Sequence, residues 1–255
     1  MDLFLSRRSE TMLFKNKKEA KSVLKEKIQN ENGIRCCGES FRLSNEWIKY
    51  EKTVKAKEDS KEGVLRVMLN EIGTADIDFV SVMPEETFAN KKNGMRNDMA
   101  TSLKDIKPAF FRFPGGCIVE GKTMENAYLW KETTGEITER RGKENLWGYH
   151  QSFGVGYHEY FEFCEDIGAE PLPVLNCGLS CQYENSDPKQ NCPVDELQPY
   201  IDDALDLIEF ANGPATSKWG KIRSEMGHPA PFNLKMIAVG NEQWGTLYTE
   251  RLEPF

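Results

Sequence analysis

Apolar residues along this chain recur at two periods, and the change of period divides it. From Phe41 to Asp78 they come in short alternating or continuous runs. Ile48 and Tyr50 alternate with Trp47, Lys49 and Glu51, and GVLRVMLNEIG and ADIDFVSV follow between glycine and charge clusters. Runs of that length with period two predict strands and turns, the pattern of an all-β module such as part of a sandwich. Before them, residues 15–29 (KNKKEAKSVLKEKIQ) carry Ala20, Val23, Leu24 and Ile28 at helical spacing, which predicts a lysine-rich surface helix.

After Met83-Pro84 the rhythm lengthens. Met95, Met99, Leu103 and Ile106 make one helical stripe, stopped at Lys107-Pro108. AFFRF then reads as a short strand ending in Pro114-Gly115-Gly116. YHEYFEFCEDIG places Tyr157, Phe161, Cys164 and Ile167 on one helix face, with Gly168 as its cap. PLPVLN predicts a second strand. Leu197, Ile201, Leu205 and Ile208 make a helical stripe over 195–211, and LKMIAVG predicts a third strand running into Asn241-Glu242. Helices alternating with nearly all-apolar strands predict a parallel sheet covered by helices, so an α/β fold.

In such folds chemistry sits at the carboxyl ends of the strands. Three places qualify: Arg112 to Cys117, Asn176 to Gly178, and Asn241-Glu242. Glu242 is the sharpest candidate, because a carboxylate directly after an apolar strand can protonate a leaving group. Trp244 beside it offers a stacking face and a low local dielectric that suits an acid. Arg112, inside Phe110-Phe111-Arg112-Phe113, is expected to be buried and to need acceptors, in an ion pair or in a polar site. Cys117 has no basic group beside it in sequence and is not a nucleophile by that criterion. Trp130, Trp147 and Trp219 are either core-covering aromatics or platforms for a sugar ring.

Composition narrows the classes. The 255 residues hold 33 Lys plus Arg against 41 Asp plus Glu, a net charge of -8. An excess of acid is a poor match to sequence-independent nucleic-acid binding, which neutralises phosphates. No apolar run approaches the roughly 20 residues of a membrane helix, and MDLFLSRRSE is too short in apolar residues for a secretory leader. The 7 cysteines are an odd number, so at least one is unpaired within the chain, and none stands in a CxxC pair. His150, His158 and His228 lack the HExxH spacing, so no metal site is legible.

Three ordered motifs, RFPGGCIVEG at 112–121, WGYHQSFGVGYHEYFEFCEDIGAEPLPVLNCG at 147–178 and FNLKMIAVGNEQWG at 232–245, resemble the α-L-arabinofuranosidases of glycoside hydrolase family 51. The resemblance spans about residues 45 to 255. It implies a (β/α)8 barrel (TIM barrel) preceded by part of a β-sandwich, carbohydrate-binding-like module. The implied layout is an unassigned segment over 1–40, partial sandwich over 41–84 and the N-terminal part of the barrel over 85–255. It further implies a retaining hydrolase acting on arabinose-containing polysaccharides or oligosaccharides, with no metal or organic cofactor. Glu242 matches the general acid/base and Asn241 the amide that holds a sugar hydroxyl. Cys117, Arg112 and Trp147 match positions that shape or line the sugar pocket. The family's nucleophile, a second Glu after a later strand, has no match here, nor does its first barrel strand. The expectation is therefore an internal segment of an arabinofuranosidase, with a catalytically inactive carbohydrate-binding segment as the alternative.

Overall fold

The computed structural model describes residues 9–11, 23–29, 35–37, 40–42, 46–51, 53–55, 64–69, 76–77, 80–92, 94–184 and 187–255. The chain divides into two compact units, Met1–Ser102 and Leu103–Phe255.

The first unit is antiparallel β. Its strands are β1 (Ser9–Thr11), β2 (Val23–Gln29), β3 (Arg35–Cys37), β4 (Ser40–Arg42), β5 (Thr53–Lys55), β6 (Val64–Leu69) and β7 (Met83–Pro84). β2 pairs along its length with β6, Leu24 opposite Leu69 through Gln29 opposite Val64, and also carries β3 and β4. β1 lies between β5 and β7. The predicted helix over 15–29 is thus corrected: Val23–Gln29 is a strand, and residues 15–22 lie outside the described residues. Helical spacing of four apolar residues is outweighed by a six-residue ladder to a partner some forty positions away. The run expected as a strand at 47–51 is irregular backbone.

Helix α1 (Asn97–Asp105) forms where the stripe predicts it, with the Asp98 carboxylate accepting from Met99 N at 2.9 Å in the first turn. Its stripe is not buried, however: Met99 is 60% and Ile106 72% exposed, and only Ala100 is enclosed.

The second unit is built on three parallel strands in the order β8 (Phe110–Phe113), β11 (Glu170–Leu175), β12 (Ala238–Val239). Phe110 pairs with Glu170 through Phe113 with Pro173, and Val174 and Leu175 pair with Ala238 and Val239. Between β8 and β11 come a short hairpin, β9 (Lys143–Glu144) and β10 (His150–Gln151), and helix α2 (Tyr157–Ile167). Between β11 and β12 come α3 (Gln198–Asn212) and α4 (Lys218–Glu225), and α5 (Gly245–Leu252) follows β12. Only Ala238–Val239 of the predicted strand LKMIAVG joins the ladder.

Helix α2 starts where the Glu159 carboxylate accepts from Gly156 N at 2.8 Å and Thr133 Oγ1 accepts from Tyr157 N at 3.2 Å. It ends at Gly168, whose φ of 74° is the left-handed cap expected of glycine. Two tyrosines tie α2 to the sheet. Tyr157 Oη donates to Val174 O at 2.5 Å; Tyr160 Oη donates to Phe111 O and accepts from Leu172 N, both at 2.5 Å. The core beneath gathers Trp130, Tyr157, Phe161, Leu207, Phe210 and Phe232. The buried face of α3 is Ala204, Leu207, Phe210 and Ala211, with Leu197 buried just before it, so the predicted stripe is half wrong: Leu205 and Ile208 face outward. Both stripes are apolar in sequence; contact with α4 and the Trp130 and Trp219 rings selects the second. Buried Arg223 of α4 closes the end of α3 by donating to Phe210 O and Gly213 O, at 2.6 and 2.8 Å.

Candidate active site

The three strand ends that the sequence singles out converge. β8 runs into Pro114 and Gly115, whose φ is 70°. A Cβ on Gly115 would stand 2.6 Å from Arg112 Nη1, so the turn folds back over that guanidinium. The chain then enters a 3-10 turn at Gly116–Ile118, where Val119 N donates to Gly116 O at 3.4 Å, and a following turn in which Gly121 N donates to Cys117 O at 2.8 Å. Together these turns bring Cys117 and Glu120 close, with the Cys117 sulfur and a Glu120 carboxylate oxygen within 4.8 Å.

At the end of β11, Asn176 fixes the next loop. Its Nδ2 donates to Val119 O at 3.0 Å, and its Oδ1 accepts from Gly178 N and Leu179 N at 2.6 and 3.1 Å. Cys181 N donates to Gly121 O at 2.9 Å, so this loop is tied to the turn after β8. At the end of β12, the Asn241 side chain is held from both sides: Arg112 Nη2 donates to its Oδ1, and its Nδ2 donates to Glu120 Oε2 at 3.5 Å. Gln243 Nε2 donates to Glu120 Oε1 and to Ser180 O at 3.4 Å. Trp244 N donates to Gln182 Oε1 at 2.7 Å, and Gln182 Nε2 donates back to Trp244 O at 3.3 Å.

Glu242 stands between these anchored neighbours. It is exposed, with φ at 44° in the left-handed region that non-glycine residues seldom occupy. Such strained positions persist where the surroundings hold them, and here both neighbouring side chains are fixed. Trp244 is exposed as well, so the low-dielectric setting expected around Glu242 is not built by these residues.

Glu120 is the group that sequence reading underrated. It is 1% exposed, and burial pushes its carboxyl up to about 7. Hydrogen bonds from Cys181, Asn241 and Gln243 work against that rise, and the charge of Glu242 adds to it. Burial, with help from the Cys181 contact, pushes the Cys117 thiol up to about 12. A thiol held that high is neutral at ordinary pH and a poor nucleophile.

Arg112, Cys117, Asn241 and Glu242 therefore meet at one place. Arg112 is exposed rather than buried, because Phe110 and Arg112 occupy the face of β8 turned away from the helices, and it answers its charge through Asn241. Trp147 sits in the β9–β10 turn, 52% exposed, where its backbone N–H donates to Asn145 Oδ1 at 2.9 Å. It makes no hydrogen bond to the network among the described residues. The signal for Glu120 was its place three residues after Cys117 in a strand-end turn; for Cys181 the sequence offers none.

The domain family described as "Alpha-L-arabinofuranosidase 1 domain" matches residues 102–255. The extracellular exo-α-L-arabinofuranosidase of Streptomyces chartreusis is 43% identical over 241 residues, 87% of this chain and 28% of that protein. α-L-Arabinofuranosidase 1 of Arabidopsis thaliana is 42% identical over 205 residues, 80% of this chain and 29% of that protein. Among solved structures, the arabinose-bound GH51 α-L-arabinofuranosidase MgGH51 superposes with a TM-score of 0.86 at 30% identity, over 97% of this chain and 40% of that one. The chain thus spans under a third of the length of these curated relatives.

Proposed function

The chain belongs to the α-L-arabinofuranosidases of glycoside hydrolase family 51, and from that premise we propose that its strand-end network is the acid/base half of a retaining arabinofuranosidase site. In this reading the parallel sheet is part of a (β/α)8 barrel, and the antiparallel strands of the first unit are part of a β-sandwich module. The substrate is an α-L-arabinofuranosyl group at the end of an arabinose-containing polysaccharide or oligosaccharide.

Glu242 protonates the departing glycosidic oxygen and afterwards takes the proton from the attacking water. Asn241 accepts or donates to a ring hydroxyl, a contact that tightens as the sugar approaches an oxocarbenium ion. Arg112 and Glu120 hold that amide in one orientation, so the contact is made without reorganisation. Cys117 closes the floor of the pocket, and Trp147 stands at its rim. The carrying observation is the convergence itself: an exposed Glu242 flanked by Asn241 and Gln243, both clamped to Glu120.

Retention needs a second carboxylate about 5 Å from the first, in line with the anomeric carbon. Glu120 does not fill that role, because it is 1% exposed and enclosed beneath the amides of Asn241 and Gln243. The nucleophile is accordingly assigned to no residue of 1–255. Titration of methyl α-L-arabinofuranoside into the folded chain, read by tryptophan fluorescence, should show saturable binding that Asn241→Ala abolishes. Equal binding of a methyl β-D-xyloside would sink the substrate assignment. Hydrolysis of an aryl α-L-arabinofuranoside by the same chain, lost in Glu242→Ala, would place the nucleophile within it after all.

A further inference from the structure

Cys117, Glu120 and Cys181 are all buried, and their Sγ and carboxylate oxygen atoms lie within 4.8 Å of one another. We propose that these three side chains form a binding site for a thiophilic divalent cation of the zinc class.

The chemistry of the donors points there. Two sulfurs and one carboxylate oxygen are the mixed set that zinc and cadmium accept, whereas calcium and magnesium demand oxygen alone. The spacing fits: metal–sulfur and metal–oxygen bonds of about 2.3 and 2.0–2.2 Å put tetrahedral ligands about 3.4–3.8 Å apart. The scaffold is fixed before any ion arrives. The turn in which Gly121 N donates to Cys117 O at 2.8 Å holds Cys117 and Glu120 on one short loop, and Cys181 N bonded to Gly121 O at 2.9 Å holds the third ligand beside them.

A separate observation concerns the amide next to Glu120. Gln243 Oε1 is buried with no hydrogen-bond partner among the described residues, while Nε2 of the same amide donates to Glu120. The amide that meets Glu120 thus keeps an unmet acceptor, which a donor brought in with the ion would satisfy. Glu120 also meets no cation among the described residues, so its ionised form has only neutral donors around it. Binding sends the two thiol protons to solvent, and the resulting thiolates and carboxylate hold the ion.

The test uses the reduced, metal-free 255-residue chain and cadmium(II) or zinc(II) alone, so it does not depend on glycosidase activity. Cadmium should give a thiolate charge-transfer band that saturates at one equivalent. Cys117→Ser and Cys181→Ser should each weaken binding by about tenfold or more, and Glu120→Gln should weaken it without removing the band. Cys164→Ser, which alters a buried thiol of α2, serves as the control and should bind as the parent does. Circular dichroism of each variant separates lost ligands from lost fold. No saturable binding by the parent would overturn the assignment, as would undiminished binding in a folded Cys117→Ser/Cys181→Ser double variant. If metal binding holds while arabinofuranoside binding fails, the functional proposal falls and the metal site stands.

Discussion

The helix-covered side of the parallel sheet and the carboxyl ends of its strands use polar groups in opposite ways. On the helix side, hydroxyls and a guanidinium complete the backbone. Tyr157 and Tyr160 serve strand carbonyls and an amide, and Arg223 serves carbonyls at the end of α3. At the strand ends, Arg112, Asn241, Glu120 and Gln243 are bonded to one another, while Asn176 and Gln182 tie the neighbouring loops. The first arrangement stabilises the fold. The second orients groups around Glu242 and leaves strain in its backbone.

That contrast can be pressed hardest in the core. Phe210 is fully buried and packs against the Trp130 ring at 5.4 Å between centroids. Phe210→Ala should cost about 3–5 kcal/mol, read as a lower denaturant midpoint. A loss under about 1 kcal/mol would mean the helix layer is not the seat of stability. Tyr160→Phe keeps the ring and removes a hydroxyl that both donates to Phe111 O and accepts from Leu172 N. It should cost about 1–3 kcal/mol in the same measurement and leave metal binding at the Cys117 cluster unchanged.

At the strand ends the sign should reverse. Glu242→Gly relieves a φ of 44° and should gain about 0.5–1 kcal/mol while abolishing general acid catalysis. A destabilised Glu242→Gly variant would show that the turn is not strained. The smallest effect expected is in pH. Burial lowers the pKa of His158 below its ordinary 6.5; Glu159 and Glu162 oppose that shift, and His228 and Arg140 add to it. Protonation therefore favours the unfolded chain. The stability held above 6.5 should drain as pH falls below it, and His158→Gln should flatten that slope in urea titrations.

Sequence periodicity captured α2, β8, β11 and the existence of α3, because each has a one-sided apolar pattern and a clear stop such as Gly168. It failed where two readings were equally apolar. Leu205 and Ile208 lost to Leu207 and Phe210 through contacts made by α4 and Trp130, and Val23–Gln29 became a strand through a distant partner, β6. The site was half legible. Arg112, Cys117, Asn241 and Glu242 stand at strand ends in recognisable motifs. Glu120 and Cys181 gain their meaning only from burial and from a loop-to-turn contact that no local pattern encodes.

The most direct test of the account is the leaving-group dependence of Glu242→Ala, measured in an active arabinofuranosidase that carries this segment together with a nucleophile. A general acid matters only when the leaving group needs a proton. The variant should cleave alkyl α-L-arabinofuranosides about 10²–10⁴-fold more slowly. It should still form the glycosyl-enzyme from a dinitrophenyl arabinofuranoside at close to the parent rate. Equal losses on both substrates, or none on either, would contradict the assignment of Glu242 as the acid/base.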